Sequence, residues 1–116
     1  VENKNFQTLK RQSDFKQLKE NGKFLSASDW LLINYSKNSH GYLRPGWTVS
    51  RKVGKSVVRN RLKRWGREFV RKQSSDAVDF NLIFRAKKEK EFFKSLSHRD
   101  FEKVLTDAFT VIKKRL

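Results

Sequence analysis

From Arg51 to Lys72 the chain carries ten lysines and arginines against a single acid, Glu68. Side chains of these two types do not break bonds on their own; they hold phosphate. An arginine presents a rigid fork to two phosphate oxygens, and a lysine presents a mobile point charge. Each phosphate so neutralised releases condensed counterions, which drives association with a polyanion. Arg59, Lys63 and Arg67 recur at steps of four, a line of cations about 12 Å long if the segment is helical. Asn60, Arg64 and Arg71 widen the polar arc. Asn60 is a poor mid-helix residue because its amide competes with the backbone. That suits a side chain that bonds RNA or orients an arginine, or one that simply faces solvent. A charge-rich helix can also be merely solvated, but solvated helices mix signs and this one hardly does.

Bond-breaking chemistry has little to work with. There is no cysteine, and His40 and His98 are the only histidines, too far apart in sequence to suggest an acid–base pair. Asp14, Asp29, Glu68, Asp76 and Asp79 are scattered, with no spacing that specifies a metal pair. We assign no catalytic residue and no protein metal site, and expect no hydrolysis by the protein alone.

The elements that must position the cations are legible from periodicity. With 116 residues and a formal charge of +16, the chain suits one domain with one core. Nucleic acid is its first candidate partner, ahead of an anionic membrane surface or an acidic protein. Residues 1–10 read as a flexible basic arm. Ser13 or Asp14 could cap a helix to about Glu20, with Asn21-Gly22 as a left-handed stop. Strands are predicted over Lys23 to Ala27, Trp30 to Tyr35, and Leu43 with Trp47 to Ser50. In the second, Leu31, Ile33 and Tyr35 share one face and Trp30 and Leu32 the other. Pro45 belongs at a strand start or on an edge. From Ser56 to Lys72 the period turns helical, with Val58, Leu62, Trp65 and Phe69 as the apolar stripe. Gly66 is a costly residue there, expected to make room for a large neighbour such as Trp65. Val78 to Ala86 alternates as a strand. Lys87 to Leu96 is ambiguous, and Asp100 could cap a last helix with Phe101, Leu105, Ala108 and Ile112 inward. This order is that of an α+β domain of 1–116, helices against a sheet of about four strands. No apolar run reaches membrane-spanning length, and a cytoplasmic location is expected.

The run Gly54 to Glu68 resembles the signature of the bacterial ribonuclease P protein family. Arg59-Asn60-Arg61, followed by Lys63-Arg64 and Arg67, is its most diagnostic part. Arg44 to Val53 resembles the strand and loop leading into that helix, Asp14-Phe15 and Gly22 the family's opening, and Asp79 to Ala86 its last strand.

The resemblance implies a two-layer α/β sandwich of order α-β-β-β-α-β-α, with three helices and a left-handed βαβ crossover, against the usual handedness. It implies the protein subunit of a ribonucleoprotein that removes the 5′ leader from precursor tRNA. The RNA performs hydrolysis with bound Mg²⁺, while the protein promotes substrate and Mg²⁺ binding. The implied partners are the catalytic RNA and leader-bearing precursor tRNA, with no membrane and no obligate protein partner. Arg51, Lys52, Lys55, Arg59, Asn60, Arg61, Lys63, Arg64 and Arg67 are the implied catalytic-RNA contacts. The leader is expected in a cleft between the sheet and the first helix, against Phe15, Lys19, Trp30 and Tyr35. An aromatic there could stack a base for about 1–3 kcal/mol. Lys19 stands where relatives often carry a second cleft aromatic, and Trp47 and Trp65-Gly66 stand where aliphatic residues are usual. On residues alone, a ribosomal-RNA-binding protein remains the alternative.

Overall fold

The structure, a computed structural model, describes residues 8–73, 77–89 and 91–116. Its elements are α1 (Gln12–Asn21), β1 (Lys23–Ser28), β2 (Leu31–Lys37), β3 (Arg44–Thr48), a 3-10 turn (Arg51–Val53), α2 (Ser56–Arg71), β4 (Val78–Phe84), α3 (Phe92–Ser95) and α4 (His98–Arg115). The four strands lie in the order β1-β2-β4-β3. β4 runs antiparallel to β2 and parallel to β3, so β3, α2 and β4 form a βαβ crossover. This is the expected α+β sandwich, with the short α3 added.

Alternation along the strands divides the two faces. Leu31, Ile33 and Tyr35 of β2 and Val78, Phe80, Leu82 and Phe84 of β4 are buried in one core with α2 and α4. α4 contributes Phe101, Leu105, Ala108 and Ile112, the predicted stripe, together with Phe109. α2 contributes Leu62, Phe69 and Val70. The opposite face is crossed by α1. Asn34, on that face, donates its amide to the carbonyls of Leu18 (3.0 Å) and Lys23 (3.1 Å), tying the end of α1 to β2. Arg44 reaches Asp14 of α1 (3.1 Å) and Asp79 of β4 (3.3 Å), which fixes the other end.

Several local expectations are corrected. α1 begins at Gln12 after Arg11, so neither Ser13 nor Asp14 caps it, and Asp14 serves Arg44 instead. Gly22 has φ −90° and is not left-handed. A Cβ there would stand 2.4 Å from the Leu18 carbonyl oxygen and 2.7 Å from that of Tyr35, so close approach excludes any side chain. Of the arm expected over 1–10, residues 1–7 lie outside the described residues, and Leu9 is buried and donates its N–H to the Pro45 carbonyl (2.7 Å). That bond is on the open side of β3, an edge strand, where proline costs no ladder bond. Ser97, not Asp100, caps α4, accepting the Asp100 N–H at 3.1 Å.

Trp30 precedes β2 rather than lying within it, so strand alternation does not govern its side chain. It is 5% exposed, packed with Phe84, Phe92, Phe93 and Phe101. Tyr35 is 2% exposed, on the core face. Both rings, expected as leader contacts, are thus buried in the core.

Candidate RNA interface

α2 turns its apolar stripe into the core and leaves two different flanks. Arg67 lies with its guanidinium carbon 5.9 Å from the ring centre of Trp47 on β3, which places the Arg59–Lys63–Arg67 line on the edge-strand flank. Arg59 donates through Nε to the Gly54 carbonyl (3.1 Å), pinning the 3-10 turn to the helix. Arg51 and Lys52 in that turn are exposed, as are Lys55, Asn60 and Arg64. Arg64 stands 3.9 Å from Glu68, an exposed pair of small energetic value.

Arg61 departs from its neighbours. At 3.6 residues per turn it lies about 160° round the helix from Arg59, on the flank facing α3. Its guanidinium donates to the carbonyls of Phe93 (2.7 Å) and Lys94 (3.0 Å) and lies 5.0 Å from the ring centre of Trp65. The Arg59-Asn60-Arg61 triplet thus holds three situations: a tethered cation, an exposed amide, and a clamp between α2 and α3.

The start of α2 is electrostatically unusual. Lys55 occupies the cap without a side-chain bond to the helix, and the first turn has no acid. Helix N-termini carry partial positive charge and unpaired N–H groups. Cations gathered there oppose that field until an anion arrives.

On the α1 face, strand register defines a groove. Phe24, Asn34, Asn81 and Gly46 form one row across the four strands, and α1 lies over it. Phe15 sits on Gly46, where an added Cβ would stand 2.6 Å from the phenyl ring. The next row, Ser26, Leu32, Ile83 and Thr48, is the groove floor beside α1. Thr48 and Asn81 bond through their side chains (2.9 Å). Lys19, one turn after Phe15, is exposed. Phe24, which the sequence reading passed over, is 46% exposed on this face. The missed signal was that β1 alternates, with Leu25 and Ala27 packing on the core side.

On the other side of α1, a polar cavity is lined by Asp14, Asn38, His40, Arg44 and Asp79. Asn38 donates to Asp79 (2.7 Å) and Arg44 contacts His40, so these groups lock the β2–β3 loop onto α1.

The ribonuclease P family model matches residues 4–113 of this chain. The chain belongs to the ribonuclease P protein family. The ribonuclease P protein component of Fusobacterium nucleatum is 36% identical over 105 residues, covering 88% of this chain and 93% of its own. The ribonuclease P protein from Thermotoga maritima matches with a TM-score of 0.76 at 31% identity, over 88% of this chain and 94% of that one. The Staphylococcus aureus ribonuclease P protein shares the fold, with a TM-score of 0.77 at 24% identity over 91% of this chain and 94% of its own.

As a ribonuclease P protein, the chain is the non-catalytic subunit of the ribonucleoprotein that removes the 5′ leader of precursor tRNA together with a catalytic RNA. Membership decides between the two RNA readings left open by composition. Catalysis in the family is RNA-mediated and Mg²⁺-dependent. Among the described residues no three His, Asp or Glu side chains converge, and Arg44 bridges Asp14 and Asp79. No helix among the described residues is long and apolar enough to cross a membrane.

Proposed function

We propose that the edge-strand flank of α2 and the turn before it dock the catalytic RNA, while the groove beside α1 receives the single-stranded leader. Arg59, Lys63 and Arg67 supply the central phosphate contacts. Arg51, Lys52, Lys55, Asn60 and Arg64 extend them. Arg61 supports the surface from behind by holding α3. Phe15 and Lys19 form the groove wall, one offering a ring face and the other a cation to the leader backbone. The observation that carries this reading is the acid-free Arg59–Lys63–Arg67 line beside β3, reinforced by the uncapped, cationic start of α2.

Such a surface binds RNA shape and charge, and has no group placed to attack a phosphodiester. It promotes Mg²⁺ binding indirectly: protein cations relieve repulsion among RNA phosphates, so substrate and catalytic RNA associate at lower Mg²⁺. The protein works where tRNA precursors are processed, in the cytoplasm.

The test is the salt dependence of catalytic-RNA binding. Replacing Arg59 and Lys63 together with Ala removes two phosphate contacts and lowers the magnitude of the log K against log salt slope by about 1.4–1.8. An unchanged slope, with the fold intact, would remove both residues from the interface.

A further inference from the structure

We propose that Phe24 is a second stacking platform for the leader, at the β1 end of the groove whose other end is Phe15; this rests on the groove reading above. The register puts Phe24 in the same cross-sheet row as Asn34, Asn81 and Gly46. Gly46 is the residue on which the Phe15 ring sits. Three strand spacings separate the ends of that row, about 14 Å at the usual spacing of neighbouring strands. Two rings so far apart cannot share one base and must serve different nucleotides.

Phe24 lies outside the main core. Its neighbours Leu25 and Ala27 fill the core side of β1, whereas 46% of Phe24 remains exposed on the α1 face. An exposed aromatic on an edge strand is a liability unless a partner covers it. The surroundings specify that partner's charge. Lys19 lies on α1 between Phe15 and Phe24 in sequence, and Lys23 precedes Phe24, both exposed. The floor carries Ser26 and Thr48 hydroxyls with Leu32 and Ile83. Aromatic faces interleaved with cations over a neutral, partly hydroxylated floor fit single-stranded RNA, whose bases stack while its backbone meets the lysines.

The experiment compares Phe24→Ala, Phe24→Trp and Phe15→Ala, each assembled with catalytic RNA. Affinity is measured for mature tRNA and for precursors whose leaders lengthen one nucleotide at a time. Phe24→Ala should weaken binding of long-leader precursors about fivefold or more, with mature tRNA unchanged. The loss should begin at a longer or shorter leader than the loss caused by Phe15→Ala, and Phe24→Trp should retain wild-type affinity. If Phe15→Ala alters leader dependence and Phe24→Ala does not, the groove stands and the Phe24 platform is wrong. If neither alters it, the groove reading falls as well. Equal losses for precursor and mature tRNA in Phe24→Ala would place its effect in the fold or in catalytic-RNA docking, and would overturn the proposal.

Discussion

Gly66 of α2 and Trp47 of β3 are a matched small–large pair: a Cβ on Gly66 would stand 2.5 Å from Cζ3 of the indole. The cationic helix therefore meets the edge strand at backbone distance. Trp47, in turn, lies beneath Arg67. The room made by Gly66 belongs to Trp47 across the interface, not to Trp65 beside it in sequence.

That contact makes Gly66→Ala destabilising, although helix propensity alone favours Ala by about 1 kcal/mol. Overpacking costs about 1–3 kcal/mol, so a net loss of up to about 2 kcal/mol is expected in urea denaturation. Trp47→Leu should rescue Gly66→Ala, giving a coupling free energy in the double-mutant cycle. A stabilised Gly66→Ala would show that helix and strand do not touch there.

Arg61 should behave as a structural residue and Arg59 as an RNA contact. Hydrogen bonds from a charged donor contribute about 1.5–3 kcal/mol, and Arg61 makes two to α3 carbonyls. Arg61→Ala should lower stability by about 1–3 kcal/mol and change the salt slope of RNA binding less than Arg59→Ala does. Equal slope changes with unchanged stability would assign Arg61 to the RNA.

Tyr35→Phe should be neutral or stabilising. The hydroxyl is buried with no hydrogen-bond partner among the described residues, and an unpaired buried hydroxyl costs about 1–3 kcal/mol. Leader discrimination should stay at wild-type level. Weaker binding of leader-bearing precursor alone would return Tyr35 to the groove.

The Asp29–Lys87 pair gives a pH prediction. Its hydrogen bond to Lys87 holds Asp29 below the ordinary carboxylate range, and the same bond raises Lys87 above the ordinary lysine range. A depressed carboxylate contributes stability above its unfolded pKa and loses it as pH falls through the folded value. A raised lysine contributes below its unfolded pKa and loses it as pH rises through the folded value. The contribution therefore spans neutral pH and fades at both extremes. Asp29→Asn should lower Tm slightly at pH 7 and leave it unchanged in strong acid. A Tm difference that persists there would mean the side chain acts through something other than its charge.

Periodicity carried most of the fold. The α2 stripe, the α4 stripe and the alternation of β4 were readable because each element buries one face against one core. The burial of Trp30 and Tyr35 was not legible because aromatic identity does not report direction: one lies just outside a strand and the other on its core side. Helix caps were misjudged at Asp14 and Asp100, since a carboxylate near a helix start can equally serve an arginine or sit in the first turn. Arg61 could not be separated from Arg59 by composition, because only α3 packed against the helix gives its fork carbonyls to bind. Phe24 needed the register across four strands before its face was known.

Single-turnover cleavage of precursor tRNA by ribonuclease P RNA at low Mg²⁺, with and without the protein, tests the central claim most directly. The account predicts strong stimulation at the mature 5′ boundary, loss of most of it in the Arg59→Ala, Lys63→Ala double variant, and no cleavage by the protein alone. Cleavage by protein without RNA, or full stimulation by a folded double variant, would contradict it.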